Sequence, residues 1–255
     1  MKILVKIGGS LVDCAASRAR LAAEIARAAE SNSIVVVHGG GKQMTRFLAE
    51  RGIESRFVNG LRVTTDDVLD AVVKIFAGSV NAELVSALRA AGANPVGLSG
   101  LDAGLVDAEQ LDPSLGHVGR PVHSDTRLLD ILIAAHYLPV VACVAGDARG
   151  GRYNVNGDQM AVACAAAWKA ERLIFLTDVE GVRDGSGEIR QSLTAGQAQG
   201  LIRDGIATGG MQAKLEAAVT GLKQGVSEVQ IGSGAIEGIL NKLTAKSGFG
   251  TRLVS

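Results

Sequence analysis

Lys2-Ile-Leu-Val-Lys-Ile-Gly-Gly-Ser10 is an apolar run that ends in a glycine pair. Ile3, Val5 and Ile7 fall on one face and Leu4 on the other, the pattern of a strand buried on both sides. Gly8-Gly9 allows a tight turn whose backbone N–H groups can approach a ligand. Lys6 puts a cation into this strand two residues before the turn. It either snorkels to water from the strand end or meets an anion, because an unpaired buried ammonium is costly.

The arrangement repeats once downstream. Ile34-Val-Val-Val37 is a short continuous apolar run, and His38-Gly39-Gly40-Gly41 follows it. Between the two strands, residues 15–30 carry Leu21, Ile25 and Ala28 at helical spacing. This β-α-β opening predicts a parallel sheet, whose ligands sit beyond the carboxyl ends of the strands, where both glycine turns fall. Further strands are expected over 95–98, 105–108, 117–122, 138–144, 172–177 and 228–231. Helices are expected over 43–50, 65–78, 81–91, 126–135, 159–169, 194–203 and 211–223. Asn59-Gly60 marks a hairpin, 153–158 a polar turn, and Thr65 a helix cap. Val68, Val72, Ile75 and Phe76 form an apolar stripe that reads as core or as a dimer seam. No low-complexity linker and no internal repeat interrupts the chain.

The chain of 255 residues balances 26 basic against 26 acidic side chains, and only 3% of it is aromatic. Neither a basic face nor a base-stacking surface is written there, which argues against nucleic acid as a partner. Cys14, Cys143 and Cys164 are widely spaced and give no disulfide framework. His38, His117, His123 and His136 lack zinc spacing, so no metal ligands are assigned. No cationic leader precedes the first strand and no apolar run reaches membrane-spanning length, so a cytoplasmic protein without membrane contact is expected.

Gly39-Gly40-Gly41-Lys42 superficially suggests a P-loop. Val36 stands where that motif needs its first glycine, and Gln43 where it needs Ser or Thr. Gly232-Ser-Gly234-Ala-Ile-Glu237 lacks the last glycine of a dinucleotide fingerprint. Gly209-Gly210-Met-Gln-Ala-Lys214 is either an ordinary loop before a surface helix or an anion site at a helix N-terminus, with Lys214 adding charge. In Asn154-Val-Asn156-Gly-Asp158, Asp158 reads as the N-cap of the next helix or as the partner of lysines. Arg62 reads as a solvated hairpin arginine or a bidentate carboxylate clamp.

Taken together, Lys6-Ile-Gly8-Gly9, Val37-His-Gly-Gly-Gly41, Asn59-Gly-Leu-Arg62-Val-Thr64, Leu115-Gly-His-Val-Gly119, Asn154-Val-Asn156-Gly-Asp158, Leu176-Thr-Asp178-Val-Glu-Gly181-Val182 and Gly209-Gly-Met-Gln-Ala-Lys214 resemble the amino-acid kinase family. They occur in the family's order and span nearly the whole chain. Ser10 after the glycine pair and Gly157, where alanine is common, are small departures. The resemblance implies a three-layer αβα sandwich around a mostly parallel sheet, in two lobes. Residues 1–170 would bind the acylamino acid and form a homodimer, and residues 171–255 would bind ATP. It implies that Lys6 and Lys214 stabilise the transferring phosphoryl group and that Asp158 orients them. Gly8 and Gly9 would meet phosphate. Gly40, Gly41, Arg62, Asn154 and Asn156 would hold the acceptor, N-acetyl-L-glutamate, with Arg62 on its α-carboxylate. Asp178, Gly181, Val182, Arg183, Ile206, Ala207, Thr208 and Gly209 would line the nucleotide site, with Mg2+ arriving on ATP.

A carboxylate acceptor needs no base to deprotonate it, so positioning and charge neutralisation should carry catalysis. Two rivals stay open: a sister kinase for carrier-protein-linked aminoadipate or glutamate, and a non-catalytic amino-acid sensor. Arginine-sensitive hexamers of the family carry a helix before the first strand. Only Met1 precedes it here, so an arginine-insensitive homodimer is expected.

Overall fold

A computed structural model describes residues 1–245 and 248–254. Strand β1 (Lys2–Ile7) lies in the middle of an eight-stranded sheet. Helix α1 (Gly9–Asp13) follows it directly, then α2 (Ala15–Ala29), β2 (Ser33–His38) and α3 (Gly41–Glu50). Helix α1 was not expected: with no apolar periodicity long enough to read, Gly8-Gly9 looked only like a turn.

The hairpin at Asn59-Gly60 is present as β3 (Phe57–Val58) and β4 (Leu61–Arg62). Both turn residues have positive φ, 50° and 78°, as a type I′ turn demands. Thr65 caps the next helix by accepting from the Val68 N–H. The expected break near Gly78 does not occur. Helix α4 (Asp66–Val72) continues through a π-helical stretch, Val73–Val80, into α5 (Asn81–Ala90). The resulting 25-residue helix is long and apolar enough by composition to cross a bilayer, contrary to the expectation of no such run. Its apolar stripe is spent inside the fold: Val68, Val72, Ile75, Phe76, Val80 and Leu84 are all buried within this chain. Asp66, Asp67, Asp70 and Lys74 point outward. The stripe is core.

Strands β5 (Pro95–Ser99), β6 (Val106–Gln110) and β7 (Val118–Ser124) follow, then α6 (Arg127–Ala134). The run expected as one strand over 138–144 divides at Cys143 into β8 (Leu138–Ala142) and β9 (Val144–Gly146), which join different sheets. The polar stretch at 153 is not all turn: β10 (Arg152–Val155) pairs with β7 and β9 before α7 (Gly157–Ala167) begins. The remaining elements are β11 (Arg172–Thr177), β12 (Ser192–Thr194), α8 (Ala195–Arg203), α9 (Gly209–Lys223), β13 (Glu228–Ser233), α10 (Ile239–Thr244) and β14 (Thr251–Val254). Sequence patterning missed β12, α10 and β14, each too short to show a period.

The main sheet runs β12-β14-β13-β11-β1-β2-β8-β5, parallel from β13 to β5, with β14 antiparallel to β13. Helices α2, α5 and α10 pack together over one face, and α7, α8 and α9 over the other. This is the three-layer α/β architecture. Strands β6, β7, β9 and β10 close on themselves beside it. The chain fills the sheet from β1 towards β5, then returns to the other side of β1 with β11 and β13. The strand order therefore switches at β1, and in an open parallel sheet the ligand crevice lies at that switch.

Candidate active site

Three glycine-bearing turns meet at the carboxyl ends of β1, β2 and β11. The Gly8 N–H donates to the Leu176 carbonyl at 2.8 Å, which ties the first turn to β11. That leaves Gly9 and Ser10, the first residues of α1, with N–H groups that have no intrahelical acceptor. A Cβ on Gly9 would stand 3.1 Å from the Gly41 nitrogen, so the first two turns touch backbone to backbone. A Cβ on Gly40 would meet Val80 Cγ2 at 2.8 Å and Phe76 Cδ1 at 3.0 Å. The glycines here answer to close approach, since φ at Gly40 is −174°, an ordinary extended value.

Beneath these turns lies a cleft of about 710 Å³, lined among others by Lys6, Gly9, Gly40, Gly41, Arg62, Asn154, Asn156 and Asp178. The sequence places Lys6, Asp158 and Lys214 on three separate elements, and the fold brings them together. Lys6 Nζ lies 2.8 Å from Asp158 Oδ1, and Lys214 Nζ lies 3.3 Å from Asp158 Oδ2. Asp158 is 5% exposed. Burial raises its pKa, but Lys6 and Lys214 outweigh that and hold the carboxyl below the usual carboxylate range. One negative charge faces two positive ones, so the cluster carries a net cation at the switch point. Asp158 is not the N-cap of α7. Asn156 is, its Oδ1 accepting from the Asp158 and Gln159 N–H groups, which frees the aspartate for the lysines.

Lys214 sits in the second turn of α9, whose first residue, Gly209, has φ of +53°. Gly209 and Gly210 open the helix, and Thr208 precedes it without capping it through its side chain. The N–H groups of Gly209 and Gly210 have no intrahelical acceptor and form the positive end of the helix dipole, which favours an anion.

Arg62 lines the same cleft and is 8% exposed. Its guanidinium donates to Ser55, to Thr45 Oγ1 at 2.9 Å and to the Gly41 carbonyl at 3.3 Å, and stacks on the Phe57 ring at 4.5 Å. Burial lowers its pKa. Among the described residues it pairs with no carboxylate, so its charge is balanced only by neutral acceptors. Asn154 Nδ2 donates to Thr64 Oγ1 at 3.0 Å, and Thr64 in turn donates to the Arg62 carbonyl at 2.8 Å. The hairpin and β10 are thereby locked together at the cleft wall.

Asp178, just after β11, lines the same cleft. Val182 and Ala207 are buried beyond it, Ile206 is exposed, and Arg183 reaches the Gly187 carbonyl. Gly181 has no room for a side chain, because a Cβ would lie 2.8 Å from Thr251 Oγ1. Thr251 Oγ1 also accepts from the Val182 N–H at 2.8 Å. Sequence reasoning missed this threonine, along with Thr45, Ser55 and Thr64. Lone hydroxyls carry no spacing signal.

A model of the amino acid kinase family matches residues 1–233. The chain belongs to the amino acid kinase family. Within that family its likeness is to the acetylglutamate kinases. It is 60% identical to the acetylglutamate kinase of Solibacter usitatus, with the whole of both chains aligned. It is 41% identical to that of Bartonella tribocorum over 99% of this chain and 89% of the relative. Among solved structures, N-acetylglutamate synthase from Neisseria gonorrhoeae, complexed with coenzyme A and N-acetyl-glutamate, superposes with a TM-score of 0.88 at 27% identity. That match covers 99% of this chain and 59% of the synthase.

Proposed function

We infer that this chain transfers the γ-phosphoryl group of ATP to the γ-carboxylate of N-acetyl-L-glutamate, giving N-acetyl-L-glutamyl 5-phosphate, a step of arginine biosynthesis. The observation that carries the reading is the buried Lys6–Asp158–Lys214 cluster at a cleft whose wall holds Arg62, which pairs with no carboxylate among the described residues. The acceptor bears two carboxylates and the donor a polyphosphate. Bringing these anions into line is the barrier, and charge placed where it develops lowers it. Lys6 approaches from β1 and Lys214 from α9, so two ammonium groups can share the oxygens of the transferring group while Asp158 keeps them from repelling each other. The freed N–H groups of Gly9 and Ser10 add dipoles there. Arg62 takes the α-carboxylate by exchanging its hydroxyl partners for a bidentate pair. Asn154, Asn156, Gly40 and Gly41 complete the acceptor wall.

The nucleotide lies over β11 and α9, against Asp178, Gly181, Val182, Arg183, Ile206, Ala207, Thr208 and Gly209. Residues 1–170 then act as the acceptor-binding and dimerising lobe, and residues 171–255 as the nucleotide lobe. Among the described residues no group of three or more His, Cys, Asp or Glu side chains is placed to hold a metal ion. Both oxygens of Asp158 are already taken by lysines. The residues fit a Mg2+ ion held mainly by the nucleotide's phosphates, where it would shield their charge. The protein works as a cytoplasmic homodimer.

The test is a hydroxamate assay with ATP, magnesium and a panel of acids. Turnover of N-acetyl-L-glutamate supports this reading. Turnover of a different acid alone, or binding without turnover, overturns it in favour of a sister kinase or a sensor.

A further inference from the structure

His38 lies at the end of β2, fully buried, directly before the glycine turn of the acceptor wall. Its Nδ1 is 2.9 Å from the Gly39 carbonyl oxygen, and its Nε2 is 2.9 Å from Asn81 Nδ2. These partners assign the tautomer: Nδ1 carries the proton and donates to Gly39, while Nε2 accepts from the Asn81 amide. The ring is neutral, and burial keeps it so by pushing its pKa down to about 4. Asn81 is 5% exposed, and its Nδ2 also reaches the Val140 carbonyl at 2.9 Å. It is the first residue after the π-helical stretch that presents Phe76 and Val80 to Gly40. Two independent contacts thus seat the Gly39–Gly41 turn on the long helix, one apolar through Gly40 and one polar through His38.

We propose that His38 and Asn81 are positioning residues for the acceptor. They fix the peptide planes of the Gly39–Gly41 turn so that its N–H groups point into the cleft. A buried amide and a buried imidazole are retained only when hydrogen-bonded, and here the Asn81 amide holds the His38 ring whose Nδ1 donates to the turn's own carbonyl at Gly39. Without that bond the Gly39 carbonyl has no other partner among the described residues, and the glycine-rich turn is free to rotate its peptides. The consequence falls on acceptor binding, because His38 and Asn81 belong to β2 and α5 and not to the nucleotide-side elements β11 and α9. This proposal rests on the acceptor reading given above for Gly40 and Gly41.

The experiment compares His38→Leu, His38→Asn and Asn81→Leu with wild type. It measures KM for the acceptor, KM for ATP, kcat, and urea unfolding of each folded protein. Asparagine at 38 can place an amide donor near the Nδ1 position and restores the bond to Gly39, whereas leucine cannot. The expected result is an acceptor KM raised roughly tenfold in His38→Leu and Asn81→Leu, the scale of one lost buried hydrogen bond. The ATP KM should stay within about twofold, and His38→Asn should recover most of the loss. The proposal is overturned if the acceptor and ATP KM move together, or if all variants lose stability with acceptor KM unchanged. It is equally overturned if His38→Asn behaves like His38→Leu. Should His38→Leu fail to fold, the Asn81→Leu and His38→Asn pair carries the same comparison. If the wild-type enzyme phosphorylates a different acid, the acceptor reading fails first, and the same variants are then assayed with that acid.

Discussion

Lys6 on the central strand and Asp158 in the first turn of α7 form an ion pair at 2.8 Å in a site almost sealed from water. Asp158 gives its second oxygen to Lys214, so one carboxylate holds two ammonium groups in place. Asp158→Asn leaves those two cations facing each other without a counter-charge. Removing one partner of a buried pair costs about 3 kcal/mol or more. Urea unfolding of the variant should show a loss of that size, and added ATP should restore part of it, because the triphosphate supplies the missing negative charge. A loss that ATP does not reduce would mean that the lysines do not face the phosphate.

Lys214→Ala tests the chemistry rather than the scaffold. The side chain is partly exposed, and α9 carries its own apolar face into the core through Leu215, Ala218 and Leu222. The fold should survive. A cation that acts on charge developing in the transition state resembles an oxyanion donor, so kcat should fall by about two orders of magnitude. The acceptor KM should change little. Single-turnover kinetics of the folded variant check this, and an unchanged kcat removes Lys214 from the reaction.

The sequence carries much of this site, but unevenly. The glycine turns after two apolar strands placed the ligand end of the sheet, since a parallel sheet binds where its strands end. Lys6 announced itself by standing in an apolar strand. Spacing alone leaves Asp158 open between cap and ion-pair partner, and the family resemblance assigns it to the lysines. The two readings differ by which of two neighbouring polar side chains turns back to the helix, and only the fold shows that Asn156 does so. The long helix was misread because a π-helical stretch continues the hydrogen bonding past Gly78, where glycine argued for a break. β12 and β14 are illegible for a different reason: strands of three or four residues have too few positions to alternate.

Stability should fall as the pH drops below neutral, and His38 is the cause. Its folded pKa is pushed down to about 4 by burial, against 6.5 for a free imidazole. Between those values the unfolded chain binds the proton and the folded chain refuses it. The stabilisation is therefore complete above pH 6.5 and is lost as pH falls towards 4. From pH 7 to pH 5 the loss from this group is about 2 kcal/mol. Asp158, whose carboxyl titrates below the usual range, adds its own loss only in more acidic solution. Urea midpoints at pH 7 and pH 5 should differ in the wild type and converge in His38→Asn.

Gly97→Ala should act on the Gly39–Gly41 turn from outside the cleft. Gly97 lies on edge strand β5, and a Cβ there would fall 2.0 Å from Asn81 Oδ1 and 3.2 Å from Val85 Cγ2. The first distance is impossible, so the Asn81 amide must swing away, and its bonds to His38 and the Val140 carbonyl go with it. The backbone of Gly97 itself is ordinary strand, so the substitution adds no backbone strain, and Val85 has only to give by a few tenths of an ångström. Two buried hydrogen bonds are disturbed, at about 1 kcal/mol each. Thermal unfolding should register a destabilisation of about 2 kcal/mol. Kinetics of the folded variant should show a raised acceptor KM with the ATP KM preserved, although the altered residue lines no part of the cleft. Gly78→Ala is the control: a Cβ there meets nothing within 4 Å, and it replaces glycine inside a helix, so it should leave both KM values alone and stabilise the protein slightly.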